Sequence, residues 1–246
     1  MTRETESTDN RARASVAPLV GAAVLTLVLW QVPLGGFLLY PFTILATWFH
    51  EMGHGLTALL LGGDFHRLVL LPNGSGAALH SSVRFGPLGA ALVAAGGPLG
   101  PAVAGALFIT AARYAKWGKA GLRILSALLL ASALVWVDGI FGKAITIGLG
   151  ILILAVSERT APDTCCFALQ FLGVQACLST WRQLDYLFTR DANIGGQLMP
   201  SDSQVIAQAL LLPYWFWGGL LSVATLGLLA MSLRSGKGKP LRSGHG

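Results

Sequence analysis

The chain has 246 residues, of which 54% are hydrophobic and 11% are charged, whereas soluble domains carry roughly 25% charged residues. This composition excludes an ordinary water-soluble globule. The net charge of +6 is concentrated in the tails and in short loops that flank apolar stretches. Such clusters are typical of loops that face anionic lipid, so we expect a lipid bilayer and no nucleic acid as partner.

Three stretches, 14–49, 85–112 and 203–233, contain no Asp, Glu, Lys or Arg. Because a membrane-spanning helix needs only ~20 apolar residues, the sequence predicts an all-α polytopic membrane protein with about six or seven transmembrane helices. The first stretch is too long for a cleaved secretion signal and is interpreted as the first span. The predicted spans are 16–39, 42–61, 87–112, 121–137, 140–157, 164–188 and 205–232.

The ends of the chain differ from its interior. Residues 1–15 are polar and of mixed charge, so we expect a disordered tail there. Residues 233–246 are expected to form a flexible basic tail. The remaining residues, 16–232, are expected to form a single integral-membrane domain.

One segment between the second and third spans departs from the helical pattern. The stretches 66–71 (HRLVLL) and 77–83 (AALHSSV), separated by the turn-forming sequence PNGSG, predict a short β-hairpin. At membrane depth such a hairpin needs protein or a water-filled cavity to cover its backbone. The segment is therefore either an ordinary interfacial loop or a part of the functional site.

The second span contains the motif H-E-x-x-H as His50-Glu51-Met52-Gly53-His54. Histidines four residues apart project from one helix face and can share a metal ion, and Glu51 can act as general base toward the attacking water. Ionisable groups inside an apolar helix usually mark a functional site. The alternative interpretation is a hydrogen-bonded polar cluster that ties helices together.

These features resemble the site-2 protease family of intramembrane zinc metallopeptidases, in particular a compact bacterial branch without inserted regulatory domains. The resemblance rests on HEMGHG at 50–55, on the hairpin-like segment and on AGGPLG at 95–100, and it covers roughly residues 42–232. It implies Zn2+ bound within the membrane by His50 and His54, with Glu51 as the catalytic acid and base. It also implies a membrane-protein substrate with a transmembrane segment, and a multi-pass protein of the cell membrane, the bacterial inner membrane.

A catalytic zinc ion usually has three protein ligands and one open position. Members of the resembled family commonly take the third ligand from a Leu-Asp-Gly sequence, which this chain lacks. The candidates are Asp138, followed by Gly139, and Asp202, preceded by Ser201. Asp138 equally suits a turn and Asp202 equally suits a helix N-cap. We favour Asp202, which stands in a polar start to the last span similar to that of the compact branch; Asp138, another acidic residue or a histidine are the alternatives.

The sequence therefore predicts an intramembrane zinc metalloprotease that hydrolyses peptide bonds in or near transmembrane segments. We expect the hairpin at 66–83 to present the substrate by pairing with it as an added strand. Proline at Leu68 or Leu70 should then lower cleavage without loss of zinc. A metal-binding membrane transporter and a catalytically inactive relative are the alternative functions, and Glu51→Gln separates them because only a protease needs that carboxylate for turnover.

Overall fold

The computed structural model describes residues 16–81 and 83–234. The tail expected at 1–15 and nearly all of the tail expected at 233–246 lie outside these residues. The helices of the described part are α1 (Val16–Leu29), α2 (Gly35–Leu60), α3 (Gly86–Ala111), α4 (Ala115–Val135), α5 (Ile140–Arg159), α6 (Pro162–Arg182), α7 (Leu184–Leu187), α8 (Asp202–Leu210) and α9 (Tyr214–Arg234). The strands are β1 (Asp64–Leu70), β2 (Gly76–Ser81), β3 (Val137–Asp138), β4 (Asp191–Ile194) and β5 (Gln197–Pro200).

The predicted membrane-helix architecture is confirmed, but fewer helices than expected qualify as spans. Within the described residues, five helices have the length and apolar composition needed to cross a bilayer, namely α3, α4, α5, α6 and α9. The expected count of six or seven spans is therefore not fully confirmed, because five helices qualify.

The spans expected at the two ends of the chain are interrupted. The run 16–39 breaks at a turn over 30–34 that contains Pro33, so α1 has only 14 residues and α2 begins at Gly35. The run 205–232 breaks after α8, where Leu211 has a left-handed φ of 76° and Pro213 has no backbone N–H to continue the helix. Neither break introduces a charged residue. The length of the uncharged run alone therefore does not reveal where the helix ends.

The predicted hairpin is present, and a third strand joins it. β1 and β2 pair antiparallel, while β3 pairs parallel with β1 through Leu68↔Val137 and Val69↔Asp138, which gives the strand order β2-β1-β3. The N–H of Leu68 donates to the carbonyl of Trp136 at 2.8 Å. β1 is therefore hydrogen-bonded along both sides, and β2 lies at the edge of the sheet.

This sheet packs along α2, which covers the turn between β1 and β2. Thr47 Oγ1 donates to the Gly74 carbonyl at 2.6 Å, and the Tyr40 hydroxyl donates to the Pro72 carbonyl at 2.7 Å. These contacts hold the β1–β2 turn against the helix that carries the H-E-x-x-H motif. They cover part of the hairpin backbone, as a hairpin at membrane depth requires, while the outer edge of β2 pairs with no strand in the described residues.

Helices α2 and α3 approach closely because glycines line their contact. A Cβ atom at Gly53 would run into the carbonyl group of Gly96, and one at Gly100 would run into that of Phe49. Small residues are the usual means by which helix backbones approach each other in membranes. This contact brings the 95–100 segment of α3 against the histidine-bearing face of α2.

A second hairpin, formed by β4 and β5, was not among the predicted elements. Its turn residues Gly195 and Gly196 have φ values of 61° and 89°, and a Gly-Gly pair is a known hairpin signal that could have identified it. A Cβ atom at Gly195 would lie 2.9 Å from Cδ1 of Leu71. The turns of the two hairpins therefore meet, and β5 leads directly into α8.

Candidate metal centre

His50 and His54 lie on the same face of α2, with ring centroids 4.8 Å apart. Nδ1 of His54 is 2.8 Å from the carbonyl oxygen of Val93 in α3, and Nδ1 of His50 is 3.3 Å from Oε1 of Gln183. Because these oxygens accept hydrogen bonds, each Nδ1 carries the proton. The Nε2 atom of each neutral imidazole then presents its lone pair.

Asp202 lies opposite the two histidines, although it comes from α8. Its Oδ2 is 3.1 Å from Nε2 of His50, and its Oδ1 is 3.3 Å from Nε2 of His54. Ser201 is the N-cap of α8, since its Oγ accepts a hydrogen bond from the N–H of Gln204 at 3.3 Å. The capping role that the sequence allowed for Asp202 is thus filled by its neighbour, and the Asp202 carboxylate faces the histidines.

The three side chains form a group that a cation would satisfy. One ligand atom from each of His50, His54 and Asp202 lies within 4.8 Å of the others. Oδ2 of Asp202 is buried and has no hydrogen-bond partner. Imidazole lone pairs that face carboxylate oxygens repel them unless positive charge lies between. Two imidazole nitrogens and one carboxylate oxygen also match the ligand set of a catalytic zinc site.

Gly97 of α3 forms one wall of this group. A Cβ atom at Gly97 would collide with Nε2 and Cε1 of His54 and would lie 2.8 Å from Nε2 of His50. A residue without a side chain therefore keeps the space beside the two Nε2 atoms open. The AGGPLG sequence at 95–100, one of the features that carry the family resemblance, therefore has a specific structural role at Gly97.

Two polar side chains at the end of α6 and in α7 hold the candidate ligands, and sequence reasoning missed both. Gln183 accepts the hydrogen bond from His50 described above. The hydroxyl of Tyr186 accepts a hydrogen bond from the backbone N–H of Asp202 at 3.2 Å, and its ring lies 6.2 Å from that of His50. Neither residue belongs to a recognisable motif, so only the fold could identify them.

Glu51 is 6% exposed and points toward the edge strand of the sheet. The backbone N–H of Ala78 in β2 is a hydrogen-bonding neighbour of its carboxylate. A Cβ atom at Gly76 would lie 2.9 Å from Cγ of Glu51 and 2.8 Å from Cγ2 of Thr47. Glycine at position 76 therefore allows β2 to lie directly beside this carboxylate.

Asp138, the other candidate for the third ligand, lies outside the group found in the described residues. It belongs to β3, and its Oδ1 accepts a hydrogen bond from the Gly139 N–H at 2.8 Å. Its Oδ2 lies 3.4 Å from Nη1 of Arg67, and both side chains are about half exposed. Asp138 thus has the local turn geometry that its Asp-Gly sequence allows.

His80 is the titratable side chain of the edge strand itself. Partial burial lowers its pKa, and the nearby His54 and His66 lower that pKa further. The ordinary histidine pKa is about 6.5, so His80 is mainly neutral at neutral pH. The edge of β2 therefore adds no positive charge beside the histidine pair of α2.

A cavity of about 210 Å3 lies between α2, α6 and the turn after α1, and both apolar and polar side chains line it. Its lining includes Thr43, Thr47, Gln175, Ser179 and Gln183. Gln183 also contacts His50, so the cavity reaches the residues that surround the histidine pair. Its hydroxyl and amide groups are suited to hold water.

Comparison with known proteins agrees with the geometry. The family model described as Peptidase M50B-like matches residues 19–232, which is most of the chain. The chain belongs to this family of site-2 protease-like membrane metallopeptidases. The M50B-like family and the five apolar helices together indicate a multi-pass membrane protein. No curated protein and no solved structure matches the chain.

Proposed function

We propose that this M50B-like protein is an intramembrane zinc metalloprotease that hydrolyses peptide bonds in or near the transmembrane segments of its substrates. The observation that carries the proposal is the convergence of His50, His54 and Asp202 beside the buried carboxylate of Glu51. A transporter site would need the three ligands but would have no need of an acid or base next to them.

His50, His54 and Asp202 would hold the zinc ion through two nitrogens and one oxygen. The bound ion would supply Lewis-acid polarisation of the scissile carbonyl and would lower the pKa of water. Val93 and Gln183 fix the Nδ1 tautomers and so keep both Nε2 atoms available as ligands. Gly97 keeps the ligand-facing space clear.

Glu51 would carry the proton in the reaction. As general base its carboxylate takes a proton from the attacking water, and as general acid it returns that proton to the departing amine nitrogen. Its burial excludes bulk water from the carboxylate, and water would enter from the cavity lined by Thr47 and Gln183.

The substrate would bind as an extended strand along the free edge of β2. A transmembrane helix must unwind before its peptide bonds are accessible, and a strand edge offers hydrogen-bond partners to the released backbone. Ala78 pairs with Leu68, whose N–H turns to Trp136 and not to β2, so the N–H of Ala78 points away from β1. A strand added at this edge would therefore lie beside the catalytic carboxylate.

This arrangement corrects the substitutions suggested by the sequence. Leu68 lies in the central strand β1, and its N–H is already bonded to Trp136. Proline at Leu68 would disrupt the β1–β3 pairing, and Leu70 packs in the core at 2% exposure. Either proline would disturb the fold as well as substrate pairing. The test of substrate pairing therefore needs a substitution in β2, the edge strand.

We further propose that the protein acts in the cell membrane, the inner membrane in a bacterium, on membrane-protein partners with a transmembrane segment. The experiment is reconstitution of the purified chain in liposomes with a panel of single-span peptides, followed by mass spectrometry of the products. Cleavage that a chelator abolishes and stoichiometric zinc restores supports the proposal. A zinc-loaded, folded protein that cleaves no member of a broad panel would favour the catalytically inactive alternative.

A further inference from the structure

An open cavity separate from the metal centre lies where the second hairpin, α8 and the start of α9 meet. It has a volume of about 620 Å3, and its polar walls come from Arg190, Gln204, Gln208, Tyr214 and Trp215. No Asp or Glu lines it within the described residues. We propose that this cavity binds the phosphate group of a membrane lipid.

Arg190 is the cation of the cavity. Its guanidinium carbon lies 5.6 Å from the centroid of the Tyr214 ring, and in the described part of the chain it forms no ion pair with a carboxylate. Contact with an aromatic face orients the planar guanidinium group without using its N–H donors. Arg190 therefore retains donors for a phosphate oxygen, the acceptor that such a group binds best.

Helix α8 supplies neutral donors to the cavity. Gln204 and Gln208 are four residues apart in α8, so their side chains emerge on the same face of the helix. Each amide group has two N–H donors. One guanidinium and two amides provide the mixed charged and neutral donors that suit a singly charged phosphodiester.

The position of the cavity indicates a lipid as the source of the phosphate. Tyr214 begins α9, whose residues Tyr214–Ser232 form one of the five apolar spans, so the cavity lies at the end of a membrane-crossing helix. Two apolar side chains of its lining, Trp215 and Leu212, are 57% and 45% exposed. Tyr and Trp are enriched at the headgroup level of membranes, and exposed apolar side chains at the rim suit the acyl chains.

The same cavity is connected to the candidate metal ligand. The N–H of Ser201 donates to the carbonyl of Arg190 at 2.8 Å, and Oγ of Ser201 accepts from the N–H of Gln204 at 3.3 Å. Two residues of the cavity thus hold the residue that precedes Asp202. A bound headgroup should restrain this segment, so lipid and zinc should each increase the affinity for the other.

The binding test uses the full chain, purified without zinc in neutral detergent, with the thermal unfolding midpoint as readout. Phosphatidylglycerol should raise the midpoint in a saturable manner, whereas diacylglycerol with the same acyl chains should not. Inorganic phosphate is the third ligand tested. An equal, saturable shift with inorganic phosphate would overturn the assignment to lipid, and an equal shift with diacylglycerol would overturn phosphate recognition.

Arg190→Gln should weaken the phosphatidylglycerol affinity by about tenfold or more, because it removes a charge-assisted pair. Gln208→Leu should weaken it to a smaller extent. Arg159→Gln is the matched control. Arg159 is also an exposed arginine, but it lies at the end of α5 and does not line the cavity. Equal affinities in wild type and Arg190→Gln would overturn the proposal.

Coupling to the metal centre is measured separately, as the zinc dissociation constant with and without phosphatidylglycerol. We expect severalfold tighter zinc binding with lipid in the wild type and no difference in Arg190→Gln. An unchanged zinc affinity in a protein that does bind the lipid would overturn the coupling. Neither readout requires peptide cleavage, so these results are independent of the proposed protease activity.

Discussion

Nε2 of His54 in α2 lies 3.3 Å from Oδ1 of Asp202 in α8, and the other oxygen of this carboxylate lies 3.1 Å from Nε2 of His50. Both imidazoles have their Nδ1 atoms engaged elsewhere. Two imidazole nitrogens and two carboxylate oxygens, all electron-rich, therefore face one another in a buried space. This relationship makes Asp202 the residue on which the proposed metal centre most clearly depends.

Replacing Asp202 with alanine should remove zinc and cleavage together. If Asp202 is a direct ligand, its loss should reduce zinc affinity by more than the ~10–100-fold typical for groups that only orient a ligand. Asp138→Ala is the matched control, and it should retain both properties because its exposed pair with Arg67 contributes only ~0–1 kcal/mol to stability. Metal analysis of the two folded variants checks the prediction, and the reverse pattern would transfer the ligand role to Asp138.

Gly97→Ala should abolish zinc binding while leaving the helices folded. The added Cβ would collide with His54 and approach Nε2 of His50, so the ligands could not converge. Gly148→Ala in α5 is the control, since a Cβ atom there meets nothing within 4 Å. Zinc content and circular dichroism should distinguish the two variants. A Gly97→Ala protein with full zinc content would show that the ligands bind elsewhere.

Tyr186→Phe should weaken zinc binding by ~10–100-fold, the usual effect of removing a group that positions a ligand. The hydroxyl of Tyr186 accepts the backbone N–H of Asp202 at 3.2 Å, and the variant leaves that buried donor without its partner. Tyr114→Phe, on a ring that is 50% exposed, should leave zinc affinity unchanged. Competition with a fluorescent chelator gives both constants, and equal values would remove Tyr186 from the site.

His80→Pro should lower cleavage without lowering zinc content. The N–H groups of a strand alternate in direction, so the N–H of His80 points to the same side as that of Ala78, away from β1. Proline removes this donor from the free edge but leaves the β1-facing donor of Leu79 intact. His80→Ala keeps the donor and is the control. Equal turnover of the two variants would mean that substrate does not pair at this edge.

The sequence predicted the local part of the site better than its long-range part. His50, Glu51 and His54 lie on one helix, so their spacing alone places them on a common face. Asp202, Gln183 and Tyr186 reach them only through the packing of α6, α7 and α8. Spacing along the chain contains no information about such contacts, which is why two acidic residues had to be considered for one position.

For the fold, too, local features were predicted from the sequence and long-range contacts were not. Uncharged runs predicted the membrane helices and turn residues predicted the β1–β2 hairpin. The partnership of β1 with β3 depends on contacts between distant segments and could not be predicted from either strand. By contrast, Pro33, Pro213 and the Gly195-Gly196 pair were visible signals for the breaks and for the second hairpin. Hydrophobic length outweighed the two prolines, whereas the Gly195-Gly196 pair lies between two predicted spans.

The most direct test of the central claim measures zinc content and peptide cleavage together in wild type and Glu51→Gln, both reconstituted in liposomes. Glu51 lies next to the ligands in sequence but is not one of the three converging groups. Glu51→Gln should therefore retain stoichiometric zinc and lose cleavage by ~10²–10⁴-fold, the usual contribution of a general acid and base. Zinc-loaded Glu51→Gln that cleaves the same peptides at the wild-type rate would contradict the account.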